Sequence, residues 1–78
     1  MKNIVIFHGQ GCSACQEQMQ FLTRHGIAFT GKDVVSDVTA RQELLGLGSK
    51  TIPTTVVDGE VIVGFEKQRL CELLGIGL

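Results

Sequence analysis

Apolar positions along this chain switch between a continuous or alternating pattern and a helical one, and the switches divide it into seven elements. Asn3–Phe7 carries Ile, Val, Ile and Phe without a break, the pattern of a short strand covered on both faces. Gly9 and Gly11 mark the turn that follows. From Ser13 to Arg24, Cys15, Met19 and Leu22 recur at i, i+4 and i+7, while Gln16, Glu17 and Gln20 take polar positions, which predicts a helix. Gly26 is its stop signal. Ile27 to Val35 reads as a second strand, with Ile27, Phe29 and Val34-Val35 as its apolar content and Gly31 interrupting it. Asp37 is placed to cap a second helix through Leu45, broken by Gly46 and Gly48. Thr54–Val57 and Glu60–Val63 are β-branched runs separated by Asp58-Gly59, the preferred chemistry of a two-residue hairpin turn. A last helix is predicted over Glu66 to Leu74, with Leu70, Leu73 and Leu74 facing the sheet. The order βαβαββα is that of an α/β domain with a mixed sheet and helices on both faces.

These elements use the whole chain, so residues 1–78 are expected to form one domain without repeat or linker. With four Phe and no Trp or Tyr, its core must be mostly aliphatic. A net charge of −1 and the lack of any Lys/Arg-rich window supply no field to gather nucleic acid or anionic lipid. The apolar run near Met1 is too short for a signal-peptide core or a membrane span, so a cytoplasmic setting is expected. The odd number of cysteines, three, argues against a secreted disulfide scaffold. A sheet enclosed in this way needs no partner, and a monomer is expected.

The chemistry concentrates in Cys12-Ser13-Ala14-Cys15. Cys12 falls at the predicted helix start, where free N–H groups and the helix dipole favour a thiolate, so it is the candidate nucleophile. Cys15 is one turn on, shares the apolar face with Met19 and Leu22, and suits the role of a resolving thiol. The same spacing also suits plain packing or a metal. Tetrahedral zinc needs four ligands, and the other candidates are His8, His25 and Cys71. His8 lies on the strand side and His25 at the far helix end, while Cys71 among leucines reads as a small core hydrophobe. Pro53, the only proline, enters the third strand either as punctuation or as a cis peptide after Ile52, and the residues alone leave the isomer open.

Together with Phe29-x-x-x-Asp33-Val34, Thr51-Ile52-Pro53-Thr54 and Gly64-Phe65-Glu66, the cysteine pair makes the chain resemble the glutaredoxin-like members of the thioredoxin superfamily, in order and spacing over almost its full length. The resemblance implies a thioredoxin/glutaredoxin-like fold, with four strands in a mixed sheet, three flanking helices and Pro53 in cis beside the cysteines. It implies a thiol–disulfide oxidoreductase in which Cys12 attacks and Cys15 resolves. Thr51, Ile52 and Pro53, with Gly64, Phe65 and Glu66, would then contact substrate, a protein disulfide or a glutathione mixed disulfide. No resident cofactor or metal is implied, and electrons would come from glutathione or thioredoxin reductase in the service of cell redox homeostasis.

The departures from the family pattern bear on that donor. Ser13-Ala14 replaces the Pro-Tyr of glutathione-using dithiol members. Gly9 and Gln10 stand where a basic residue often holds a glutathione carboxylate, with Lys50 as a substitute. Val63-Gly64-Phe65-Glu66 is closer to the glutaredoxin-like electron donors of ribonucleotide reductase, which draw on thioredoxin reductase. Two other chemistries share the cysteines. Small copper carriers also place Gly-x-x-Cys-x-x-Cys before a helix, and two thiolates suit Cu(I), but their βαββαβ order ends on a strand. Some glutaredoxins carry an iron–sulfur cluster between two chains, using the first cysteine and glutathione.

Overall fold

The computed structural model describes residues 3–76. The chain runs β1 (Ile4–His8), α1 (Ser13–Arg24), β2 (Thr30–Asp33), α2 (Val38–Gly46), β3 (Thr54–Val57), β4 (Glu60–Val63) and α3 (Lys67–Leu74). The sheet order is β2-β1-β3-β4. β1 pairs in parallel with β2, from Val5 opposite Thr30 to His8 opposite Asp33. On its other side it pairs antiparallel with β3, from Ile4 opposite Val57 to Phe7 opposite Thr54. The expected βαβαββα mixed sheet with three helices is therefore the observed one.

Alternation along the strands sorts side chains to two faces. Ile4, Ile6, Val57 and Ile62 meet Phe21 and Leu22 of α1 and Leu70 and Cys71 of α3 in the larger core. Phe7 meets Val34, Ala40 and Leu44 on the opposite face, where α2 lies. β1 is thus covered on both faces, which is why its sequence is a continuous apolar run rather than an alternating one. Each such residue contributes about 1.5–3 kcal/mol by leaving water. Cys71 is a buried member of the larger core, as its leucine-rich surroundings suggest.

The turns follow local chemistry. Asp58 (φ 48°) and Gly59 (φ 90°) both adopt left-handed backbone, the type I′ geometry that matches strand twist between β3 and β4. Asp37 caps α2, its carboxylate accepting the N–H of Thr39 at 3.0 Å and of Ala40 at 3.3 Å. β2 is shorter than the expected Ile27–Val35. Ile27 and Phe29 still pack against the larger core, but pairing to β1 begins only at Thr30. The strand ends at Asp33 because its carboxylate accepts the N–H of Val35 (2.8 Å) and Ser36 (3.2 Å), turning the chain away. β1 itself is shifted by one residue from Asn3–Phe7, and α3 starts at Lys67 with Glu66 at its N-cap position but no side-chain cap bond.

Gln18 is the unexpected core member. It is 1% exposed on the inner face of α1, where its amide donates to the hydroxyl of Thr55, itself fully buried on β3. Each group satisfies a partner that water cannot reach. Gln18→Ala should lower stability by about 1–3 kcal/mol, because it strands the Thr55 hydroxyl. In urea unfolding, the double variant with Thr55→Val should be more stable than Gln18→Ala alone.

Candidate redox site

The sheet topology gathers one end of every strand at a single edge. The C-terminal ends of β1 and β2 lie side by side, since His8 is opposite Asp33. The start of β3 joins them, with Thr54 opposite Phe7, and so does the end of β4, with Val63 opposite Thr54. The segments leaving those ends are 9–12, 34–37, 51–53 and 64–66. Sites in open α/β sheets form at this end, because loops there can converge without breaking the ladder.

Gly11, at φ 74°, turns the chain left-handed just before the cysteines. Cys12 then takes the N-cap position of α1 with extended backbone (φ −94°, ψ 99°). Its sulfur accepts the N–H of Cys15 at 3.1 Å, and its carbonyl accepts the N–H of Gln16 at 3.2 Å. Sulfur here fills the role that a Ser or Asp oxygen fills at other helix starts. Cys12 and Cys15 form a disulfide, with Cα atoms 5.2 Å apart. Cys12 is partly exposed, whereas Cys15 is fully buried on the inner face of α1. The accessible and inaccessible thiols expected from the spacing are thus distinct.

The Ile52–Pro53 peptide is cis. The N–H of Gly64 donates to the carbonyl of Pro53 at 2.7 Å, tying the end of β4 to the proline loop. Phe65 follows, half-buried and tilted against Phe21 of α1 with ring centroids 6.0 Å apart. Glu66 is exposed. The histidines lie elsewhere: His25 packs edge-on against Phe21 at 4.6 Å, and His8 lies over Gly31 of β2. Among the described residues, no three His, Cys, Asp or Glu side chains come together as a metal site.

A glutaredoxin family model matches residues 4–62, more than half of the chain. The chain belongs to the glutaredoxin family. A curated relative from Clostridium pasteurianum, described as an uncharacterized glutaredoxin-like 8.6 kDa protein in a rubredoxin operon, is 29% identical over 72 residues, covering 91% of this chain and 96% of the relative. Among solved structures, a mutant of the thioredoxin-like protein BC3987 superimposes with a TM-score of 0.93 at 37% identity, covering 99% of this chain and all of that one. Methanoredoxin from Methanosarcina acetivorans matches at a TM-score of 0.77 and 26% identity, over 95% of this chain and 85% of its own. The family and the Cys12–Cys15 spacing together support thiol–disulfide redox function.

Gly9 opens the turn that leads to the cysteines. A Cβ built there would stand 2.8 Å from Cγ2 of Val35 and 3.0 Å from Cδ1 of Ile52. Two apolar side chains from separate loops therefore close over the turn that leads to Cys12. Val35 nonetheless remains 59% exposed, so the surface beside this turn is apolar and open. Composition offers no hint of this contact, because it depends on three segments meeting. Gly9→Ala should cost no more than about 1 kcal/mol, because the overlap is with side-chain ends and Val35 is exposed enough to give way. Combining it with Val35→Ala should recover part of the loss in denaturant midpoint.

Asp33 is held below the usual carboxylate pKa of 3.8, chiefly by the N–H of Val35, then by that of Ser36. Those bonds favour the charged form, so their contribution is complete above the unfolded-state value and is lost as pH falls through the lowered folded-state value. Asp33→Asn should unfold at lower urea than the parent at pH 7, and the gap should close as pH drops below about 3.8.

Proposed function

We propose that this protein is a dithiol oxidoreductase that reduces disulfides of polypeptide partners and glutathione mixed disulfides. One observation carries the reading: an accessible cysteine caps a helix through its sulfur, with a buried second cysteine one turn below. The same N–H groups and dipole that meet the Cys12 sulfur favour its thiolate once the pair is reduced.

In the forward direction the Cys12 thiolate attacks one sulfur of the substrate disulfide. A Cys12–substrate bond forms, the substrate S–S bond breaks, and the departing thiolate takes up a proton. Cys15 then loses its proton and attacks the Cys12 sulfur, expelling the second substrate thiol and closing the Cys12–Cys15 disulfide. Two electrons pass from the protein to the substrate. Reopening the disulfide needs an external thiol donor, either glutathione or the dithiol of a thioredoxin reductase.

A polypeptide reductase suits the surroundings better than glutathione. The residues ahead of Cys12 are Gly9, Gln10 and Gly11, with no cation among them for a glutathione carboxylate. The neighbouring surface, Val35 and Ile52, is apolar. Thr51, Ile52, Pro53, Gly64, Phe65 and Glu66 form the substrate-facing loops in this reading.

Cys12→Ser should abolish reduction of insulin, whereas Cys15→Ser should accumulate a mixed disulfide visible as a mass adduct that reductant removes. Wild-type rates from Cys12→Ser would sink the mechanism. For the donor, NADPH consumption with thioredoxin reductase is expected to exceed that with glutathione and its reductase. The reverse ranking would assign glutathione.

A further inference from the structure

The proline loop contains a closed circuit of hydrogen bonds that begins and ends on one residue. The N–H of Thr51 donates to the Ser49 hydroxyl at 3.3 Å. Ser49 Oγ lies 2.8 Å from Thr54 Oγ1. The Thr54 hydroxyl donates to the carbonyl of Thr51. With one proton on each hydroxyl, one assignment satisfies these three bonds, Thr51 N–H to Ser49, Ser49 to Thr54 and Thr54 to Thr51 C=O, and Ser49 Oγ also lies 3.3 Å from the Thr51 carbonyl as a longer second contact. Ser49 is 4% exposed and Thr54 is fully buried, so water does not compete for the bond between their hydroxyls, and each bond polarises the next.

The circuit occupies both backbone groups of Thr51. The carbonyl of Pro53 is occupied as well, by the N–H of Gly64. Ile52, between them, makes no backbone hydrogen bond among the described residues. It retains one donor and one acceptor in a loop whose neighbours are satisfied, which is what pairing with one residue of an extended polypeptide requires.

We propose that Ser49 and Thr54 are positioning residues for polypeptide substrates: their hydroxyl circuit fixes the Thr51 backbone inward and so presents the N–H and C=O of Ile52 to the substrate main chain. The inference rests on the oxidoreductase reading and narrows it in two ways. Thr51 supports the substrate contact rather than making it through its own backbone. Moreover, the contribution of the loop depends on the substrate having a peptide backbone. The anchor is held at both ends, because the N–H of Ser49 donates to the carbonyl of Leu44 in the last turn of α2 at 3.4 Å and Thr54 is paired within the sheet to Phe7 and Val63.

The test compares two disulfides that differ in having a backbone, insulin and hydroxyethyl disulfide. Pre-reduced protein is mixed with an excess of either, without any electron donor, and closure of Cys12–Cys15 is followed by thiol alkylation. In Thr54→Val the half-saturating concentration of insulin should rise about three- to tenfold, the equivalent of losing one well-made hydrogen bond. The same parameter for hydroxyethyl disulfide should change less than about twofold. Thr54→Ser, which keeps the hydroxyl, should restore the parent value for insulin. Ser49→Ala should repeat the split and carries the test if Thr54→Val does not fold. Equal changes for both substrates, or no change for either, would overturn the inference, and so would the failure of both variants to fold, since the hydroxyls would then be needed for folding itself. Parent protein that oxidises with neither disulfide would instead overturn the oxidoreductase reading.

Discussion

Strand β1 is the constraint on which the rest depends. Among the described residues it is the only strand with a parallel neighbour on one side and an antiparallel neighbour on the other, and its side chains enter both cores. Because Ile6 and Phe7 are fixed from two faces and two edges, the chain leaves the sheet at His8 in one direction only. Three residues of turn then deliver Cys12 to the start of α1. The position of the Cys12 sulfur is therefore set first by burying aliphatic surface, and its bond to the N–H of Cys15 is made at the place this provides.

The same logic separates the two thiols. A helix packed on a sheet must turn one face inward, and Cys15 falls on that face with Gln18 and Leu22. Cys12, at the cap, precedes the helical rotation and stays reachable. The difference in access that a two-step exchange needs follows from one turn of helix over an apolar sheet. On the opposite side of Cys12, Gly9 lets Val35 and Ile52 close in, so the turn is bounded by apolar side chains. Polar contacts are kept inside instead, as the Gln18–Thr55 pair and the Ser49–Thr54 circuit.

Much of the fold could be read from residue order because its signals are local. Asp58-Gly59 permits one kind of hairpin, Asp37 caps the helix after it, and the continuous apolar run of β1 announces cover on both faces. The ends of β2 were less readable. Ile27 and Phe29 are apolar because they pack on the core, yet their backbone is not paired to β1 until Thr30, and apolar pattern alone does not separate these two causes. Asp33 ends the strand through bonds to Val35 and Ser36 that a run of β-branched residues conceals. The burial of Gln18 is hidden for a similar reason. A glutamine between polar helix positions looks solvent-facing until a buried threonine on another strand is known to need it.

By itself the sequence determined the element order, the placement of Cys12 at a helix start and Cys15 one turn inside, and the turn chemistry. Each of these depends on residues within a few positions of one another. Only the tertiary structure decided the isomer before Pro53, the meeting of Val35 and Ile52 over Gly9, and the circuit beside Ile52, whose own backbone makes no hydrogen bond among the described residues. Those features join residues from loops that the sheet brings together. Backbone hydrogen-bond partners of this kind are chosen by three-dimensional proximity, and side-chain identity along the chain carries little trace of them.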